Sequence, residues 1–138
     1  MADKIDEMNC FLQRSPFHNW LNCAITDYDE TSGAISIAFV ERPELRRSPD
    51  ATASHGGVIA AFVDIAEHAA LHARIGRGLP TIDLRVDYLR PAEFPITARA
   101  TPRRLGKTIG CVDVEIIGAN GKASALGRVV FLTQQPSA

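Results

Sequence analysis

Two glycines and a carboxylate in one predicted helix are residue types that could carry out chemistry together. Gly56 and Gly57 open the segment ASHGGVIAAFVDIAEHAALHA, residues 53–73, and Asp64 lies in its middle. The first N–H groups of a helix have no partner within it and lie at the positive end of its dipole. Because glycine has no side chain, these N–H groups could stabilise an oxygen atom that gains negative charge. Asp64 could act as a nucleophile or as a general base.

The spacing of Gly56 and Asp64 limits how they could cooperate. Eight residues of helix span about 12 Å at a rise of about 1.5 Å per residue. A nucleophile must lie within roughly 3–3.5 Å of the carbonyl carbon that it attacks. The hydrogen-bond donors must lie about as close to the oxygen of the same carbonyl group. One chain therefore cannot bring both groups to the same carbon. If both act, they come from two subunits whose helices run antiparallel across a twofold axis.

Three further polar residues interrupt the apolar helix. Glu67 and His68 share a face with Asp64 by helical spacing, and His72 follows His68 by four residues. His68 could hydrogen-bond Asp64 and adjust its basicity. Asp64 and the two histidines could instead bind a metal ion, but Asp64 is needed for the chemistry above, so no metal site is predicted. Glu67 and His72 are expected at an interface or in solvent.

Composition narrows the functional classes. The chain has 138 residues, of which 46% are hydrophobic, so one domain with a core is predicted over residues 1–138. With a net charge of −1, the protein as a whole has no positive electrostatic potential that would attract nucleic acid or an anionic membrane. The N-terminus is too charged for a signal peptide, and no apolar run has spanning length. We expect a cytoplasmic protein in which Cys10, Cys23 and Cys111 are reduced thiols.

Sequence patterns place these residues in an α+β architecture. Apolar spacing predicts a helix over residues 3–13, within an N-terminal helical segment of about residues 3–22, and the long helix ends near residues 76–78. Residues 18–29 lead into a first strand. Further strands are predicted over residues 34–40, 81–89, 95–104, 108–118 and 123–133. A strand meander with one central helix predicts an antiparallel sheet curled around that helix, which explains why the helix is so apolar.

Three segments resemble the hotdog-fold acyl-CoA thioesterases, in the PaaI-like (phenylacetate-degradation) branch. HGGVIAAFVDIAEHAAL is similar to the His-Gly-Gly-x6-Asp signature, TIDLRVDYLRPA to the next strand, and RRLGKTIGCVDVEIIGANGKASALGR to the closing hairpin. The similarity covers roughly residues 35–132. It implies the hotdog fold, in which an antiparallel sheet wraps one long helix, and hydrolysis of acyl-CoA thioesters without a cofactor. It also implies a homo-oligomer, a dimer or a dimer of dimers.

The resemblance implies roles for individual residues. Gly56 would supply the key N–H to the thioester oxygen, and His55 would help to shape that site. Asp64 would attack the carbonyl or activate water, with Thr81 orienting the water; an ordinary strand threonine is the alternative. CoA phosphates need cations from a local basic cluster. The expected substrate-binding residues are the basic residues Arg90, Arg103, Arg104 and Lys107, together with Gly57, Asp50 and His68.

Two other functions stay open at this stage. Relatives commonly have an Asn about six residues before the His, where this chain has Pro49 beside Asp50. Asp50 and His55 have the spacing of the catalytic pair in hotdog enoyl-CoA hydratases, although the Asn-Pro of that signature is absent and Asp64 would have no role. A non-catalytic acyl-CoA binding module could use the same fold.

Overall fold

The computed structural model describes residues 2–134, which form an α+β architecture. The helices are α1 (Ala2–Leu12), α2 (Pro16–Leu21) and α3 (Gly56–Ile75), with a 3-10 turn at Pro43–Leu45. The strands are β1 (Ala24–Tyr28), β2 (Ile35–Phe39), β3 (Thr81–Tyr88), β4 (Ile96–Leu105), β5 (Ile109–Ile117) and β6 (Ala123–Leu132). No helix within these residues is both long and apolar enough to cross a membrane.

The strands form one sheet around α3. Their order is β1-β2-β4-β5-β6-β3, and every neighbouring pair is antiparallel. The helix approaches β6 closely at Gly127, where an added Cβ would lie 2.6 Å from Val63 Cγ1. The buried residues of α3 occupy most of its circumference: Ile59, Phe62, Val63, Ile65, Ala66, Glu67, Ala69, Ala70 and Leu71. The predicted wrapping of an apolar helix by an antiparallel sheet is confirmed.

The N-terminal segment covers the β1 edge of this sheet. Asn9 of α1 donates from Nδ2 to the Ile25 carbonyl at 3.1 Å and accepts from the Ile25 N–H at 2.7 Å. Residues 18–21 are helical, as predicted for the segment of about residues 3–22, and the first strand begins only at Ala24. Helix α2 begins at Pro16, whose missing N–H costs nothing in the first turn, and ends before Asn22 with φ 54°.

The opposite edge, β3, is uncovered in this chain. Every residue of β3 is exposed or half-buried, and its large hydrophobic residues Ile82 and Tyr88 are 57% and 56% exposed. The β3–β6 register shifts between Thr81 and Asp83, so the strand has a bulge there. An exposed edge strand with apolar side chains can pair with a strand of another chain.

Candidate active site

His55 caps the start of α3. Its backbone is extended, with φ −60° and ψ 139°, and its Nδ1 accepts a 2.9 Å hydrogen bond from the Gly57 N–H. The Gly57 N–H, predicted to bind substrate, is thus already engaged. Because Nδ1 is the acceptor, the neutral ring carries its proton on Nε2. The exposed imidazole can therefore donate a hydrogen bond to a ligand oxygen.

The Gly56 N–H is the first of the helix and has no acceptor among residues 2–134. The Tyr88 hydroxyl donates to the Gly56 carbonyl at 2.7 Å, which fixes the helix start against the end of β3. A Cβ added at Gly56 would lie 3.6 Å from the nearest Tyr88 ring atom, an ordinary contact. Packing within the chain therefore does not require a glycine at this position. Its absence of a side chain leaves the N–H open to a ligand.

Asp64 and Thr81 lie together, as the resemblance implied. The Thr81 hydroxyl donates to Asp64 Oδ1 at 3.2 Å, and both residues are exposed. In the described part of the chain this is the only hydrogen bond to the Asp64 side chain, so His68 does not bind it directly. The other carboxylate oxygen remains available to accept a proton or to attack a carbon.

Glu67 contradicts its prediction as an interface or solvated residue. It is 1% exposed, because it continues the inward face of α3 between Val63 and Leu71. Its Oε1 has no hydrogen-bond partner within residues 2–134. Burial, and secondly the charge of Asp64, raise the pKa of Glu67 to about 8. Most Glu67 side chains are therefore protonated and uncharged at neutral pH.

His68 and His72 face the N-terminal helices. The ring centroid of His72 lies 3.3 Å from that of Phe11 with the planes 6° apart, so His72 is not a solvated residue. Burial, then the charge of His18, lowers the pKa of His68, and burial lowers the pKa of His72. Both rings are thus neutral at neutral pH. Across residues 2–134 no group of three or more His, Cys, Asp or Glu side chains could hold a metal ion.

The predicted basic residues are not gathered in one cluster. Arg90 donates to the carbonyl of Ala123 at the start of β6. Arg103 donates to Asp113 of β5 at 3.0 Å, and Arg128 pairs with the same carboxylate. Arg104 and Lys107 are exposed near the turn between β4 and β5. Sequence reasoning missed the pairing of Arg103 because its partner lies on the neighbouring strand.

Asp50 makes no hydrogen bond to His55 at the start of α3. It is exposed in the loop before α3, and the hydrogen bonds among residues 2–134 include none between Asp50 and His55. The pair required by the hydratase alternative is therefore not joined in this chain.

Comparison with known proteins gives consistent matches. A family model described as the thioesterase superfamily matches residues 53–125, more than half of the chain. The medium/long-chain acyl-CoA thioesterase YigI of Escherichia coli is 29% identical over 123 residues, covering 77% of each protein. A solved structure from the thioesterase superfamily has a TM-score of 0.84 at 29% identity, covering 96% of this chain and 99% of its own. The PaaI protein of Escherichia coli, from the phenylacetic acid degradation operon, has a TM-score of 0.77 at 23% identity, covering 98% and 96%.

The chain therefore belongs to the thioesterase superfamily. The matched residues run from the loop before α3 to β6 and include the Asp64–Thr81 pair and the start of α3. The hotdog fold expected from the resemblance is confirmed by the antiparallel sheet around one long helix and by the structural neighbours. The expectation of a thioesterase is confirmed by the family.

Proposed function

We propose that this protein hydrolyses acyl-CoA thioesters to a free acid and CoA, in a site completed by a second copy of the chain. One observation carries the proposal. Two hydrogen bonds tie the two reactive parts of α3 to opposite ends of β3: Thr81, at the first residue, binds Asp64, and Tyr88, at the last, binds Gly56.

Pairing of the exposed β3 edge with its own copy would bring complementary groups together. In an antiparallel pair related by a twofold axis, the first residue of one strand lies toward the last residue of the other. Asp64 of one subunit would then lie toward Gly56 of the other. The exposed apolar side chains of Ile82 and Tyr88 support this edge as the contact surface. The dimer, and a dimer of dimers built from it, are part of the proposal.

The chemistry follows from the atoms that the site leaves available. The Gly56 N–H, with the His55 Nε2–H, donates to the thioester oxygen of a substrate and stabilises the charge that develops there. Asp64 of the other subunit either takes a proton from a water molecule that attacks the carbonyl carbon, or attacks that carbon itself. Thr81 holds the carboxylate in position. The carbon–sulfur bond then breaks, and the sulfur of CoA leaves as a thiolate that takes up a proton. Where Asp64 attacks the carbon itself, the acyl group remains on the carboxylate as a mixed anhydride, and a water molecule then hydrolyses this anhydride to release the free acid.

The nucleotide part of CoA needs cations that are not already paired. Arg103 is engaged with Asp113, whereas Arg104 and Lys107 are exposed beside the same turn. Arg104 and Lys107 are therefore the better candidates for the phosphates, and Arg90 is held at Ala123. No cofactor or metal enters this mechanism, since the carboxylate and the N–H donors supply the base and the oxyanion site.

Release of free thiol from acyl-CoA tests the proposal and separates it from the other functions. Asp64→Asn should abolish release, and the matched change Asp50→Asn should leave it. The reverse dependence, measured as loss of enoyl absorbance, would identify a hydratase. Acyl-CoA binding without either activity would identify a binding module, and either of these results would overturn the proposal.

A further inference from the structure

The return loop, residues 76–80, joins α3 to β3 and runs back along the helix. Its first residue, Gly76, has a φ of 77°, a left-handed conformation in which helices commonly end. The loop then passes His68 and reaches Thr81, the first residue of β3. The Thr81 hydroxyl donates to Asp64. The path of the return loop therefore determines where this hydroxyl lies.

His68 contacts the return loop at Gly78. A Cβ added to Gly78 would lie 2.0 Å from His68 Nε2 and 2.8 Å from its Cδ2, distances at which the atoms would overlap. Gly78 does not have a positive φ angle, so its backbone conformation is open to other residues. The space taken by the His68 ring, and not the backbone conformation, requires a glycine at this position.

The end of the return loop is tied to the sheet. The Leu132 N–H of β6 donates to the Pro80 carbonyl at 3.0 Å, and the Leu79 side chain is buried in the core. These contacts hold the loop against the sheet. The His68 ring sets its distance from α3 at Gly78.

The His68 ring has little freedom to move away from the loop. Its centroid lies 6.0 Å from that of Phe11, with the planes 31° apart. Side chains on a helix occupy mainly two of the three χ1 positions, because the third runs into the preceding turn. Burial lowers the pKa of His68, so the uncharged ring can contact Gly78 without the cost of burying a charge. The ring can therefore act as a spacer between α3 and the return loop.

We propose that His68 is a positioning residue, whose ring sets the path of the return loop at Gly78. Through this path it holds the Thr81 hydroxyl against Asp64. His68 lies about 6 Å from Asp64 along the helix axis, and Gly78 precedes Thr81 by three residues, so the two contacts are close neighbours. The inference rests on the proposed function for the use of Asp64 in hydrolysis.

An exchange of side-chain size between the two positions tests the contact. Gly78→Ala should push the loop away from His68 and lower the free energy of unfolding, and His68→Ala should lower it by leaving a void. In the double variant the new methyl group lies where the ring was, so Gly78→Ala should cost less than half as much in the His68→Ala background. Arg77→Ala is the control, because Arg77 is an exposed residue of the same loop and its loss should change little.

Turnover shows whether the contact acts through Thr81. Gly78→Ala should lower kcat about as much as Thr81→Ala, by up to about tenfold, with KM little changed. The double variant should recover most of that loss. In a Thr81→Ala background Gly78→Ala should lower kcat by less than about twofold, because the hydrogen bond is already absent. Equal losses in both backgrounds would show a general structural effect and would overturn the inference.

Crystal structures of the variants separate this inference from the proposed hydrolysis. In Gly78→Ala the Thr81 hydroxyl should lie more than about 3.5 Å from Asp64 Oδ1, and the double variant should restore the hydrogen bond. This result supports the inference even if no thiol is released by any variant or by the wild type. If the His68 ring turns aside in Gly78→Ala and the hydrogen bond persists, the inference is overturned, even if hydrolysis is observed. If Gly78→Ala does not fold, His68→Ala decides, because a hydrogen bond and a kcat equal to those of the wild type would contradict a positioning role.

Discussion

The Tyr88 hydroxyl donates a 2.7 Å hydrogen bond to the Gly56 carbonyl oxygen, which ties the last residue of β3 to the first residue of α3. The bond anchors the residue that carries the open N–H to the end of β3. Tyr88→Phe keeps the ring but loses this bond. Because a hydrogen bond of this kind contributes about 1 kcal/mol, we expect kcat/KM to fall about fivefold. Equal activity of Tyr88→Phe and wild type would show that the bond has no part in positioning the site.

Gly56→Ala should fold normally and lose activity. The added methyl group would make only an ordinary 3.6 Å contact with the Tyr88 ring, so the melting temperature should stay close to that of the wild type. The methyl group would obstruct approach of the substrate oxygen to the N–H, and loss of one such donor costs about 10²- to 10³-fold in kcat. Gly57→Ala is the comparison, because its Cβ would lie 3.1 Å from the His55 ring and should disturb the helix cap instead.

Mixed dimers test whether the site is shared. Asp64→Asn and Gly56→Ala should each be nearly inactive alone. After dissociation and reassociation together, a dimer with one copy of each variant has one intact site and one doubly impaired site. Random pairing therefore restores up to about a quarter of the sites. Thiol release by the mixture, compared with each variant treated in the same way, provides the measurement. No recovery in a mixture shown to contain mixed dimers would contradict a shared site.

Substitution of Asp64 should reduce activity far more than substitution of its hydrogen-bond partner Thr81. Asp64→Asn removes the base or nucleophile, and general-base catalysis typically contributes about 10²- to 10⁴-fold. Thr81→Ala removes only the 3.2 Å hydrogen bond and should lower kcat about tenfold or less. Thr81→Ser retains a hydroxyl and should recover most of that loss. If Thr81→Ser were as impaired as Thr81→Ala, the hydroxyl would not be the group that matters.

Glu67 makes stability depend on pH. In the unfolded chain this carboxyl titrates near 4.5, whereas burial raises its pKa in the folded protein to about 8. Between these values the folded state binds more protons, so the free energy of unfolding should fall as pH rises, by up to about 1.4 kcal/mol per unit. Because the pKa values of His68 and His72 are lowered from 6.5, these two rings affect the pH dependence of stability only below about that pH. The slope should therefore be measured by denaturant unfolding between pH 6.5 and 8.

Glu67→Gln is the variant that isolates this effect. The amide has the same shape and does not titrate, so the decline between pH 6.5 and 8 should largely disappear. An unchanged slope in Glu67→Gln would mean that another group controls stability in this range.

Local patterns in the sequence predicted the elements that hold the site. The alternation of β2 to β6 and the two glycines that open α3 are visible along the chain, and the structure places these elements close to the expected bounds. The contact of Asp64 with Thr81 was accessible through the resemblance, since both residues belong to its motifs.

Side-chain environments that depend on distant residues were not predicted. Helical spacing placed Glu67 beside Asp64, but spacing alone does not show that the sheet curves far enough to bury it. The stacking of Phe11 on His72 joins two residues that lie 61 positions apart in the sequence. The pairing of Arg103 with Asp113 depends on strand register across a bulge, which alternation does not reveal.

The asymmetry between the two sheet edges determines how far assembly by strand pairing can proceed. Asn9 occupies both the N–H and the carbonyl of Ile25 on β1, so α1 blocks further strand addition on that side. In the proposed dimer, the two β3 strands pair about a twofold axis, and no unpaired edge strand remains to which a third sheet could add. In that dimer, the apolar β3 edge would therefore serve catalysis between subunits without the risk of growth into a fibre.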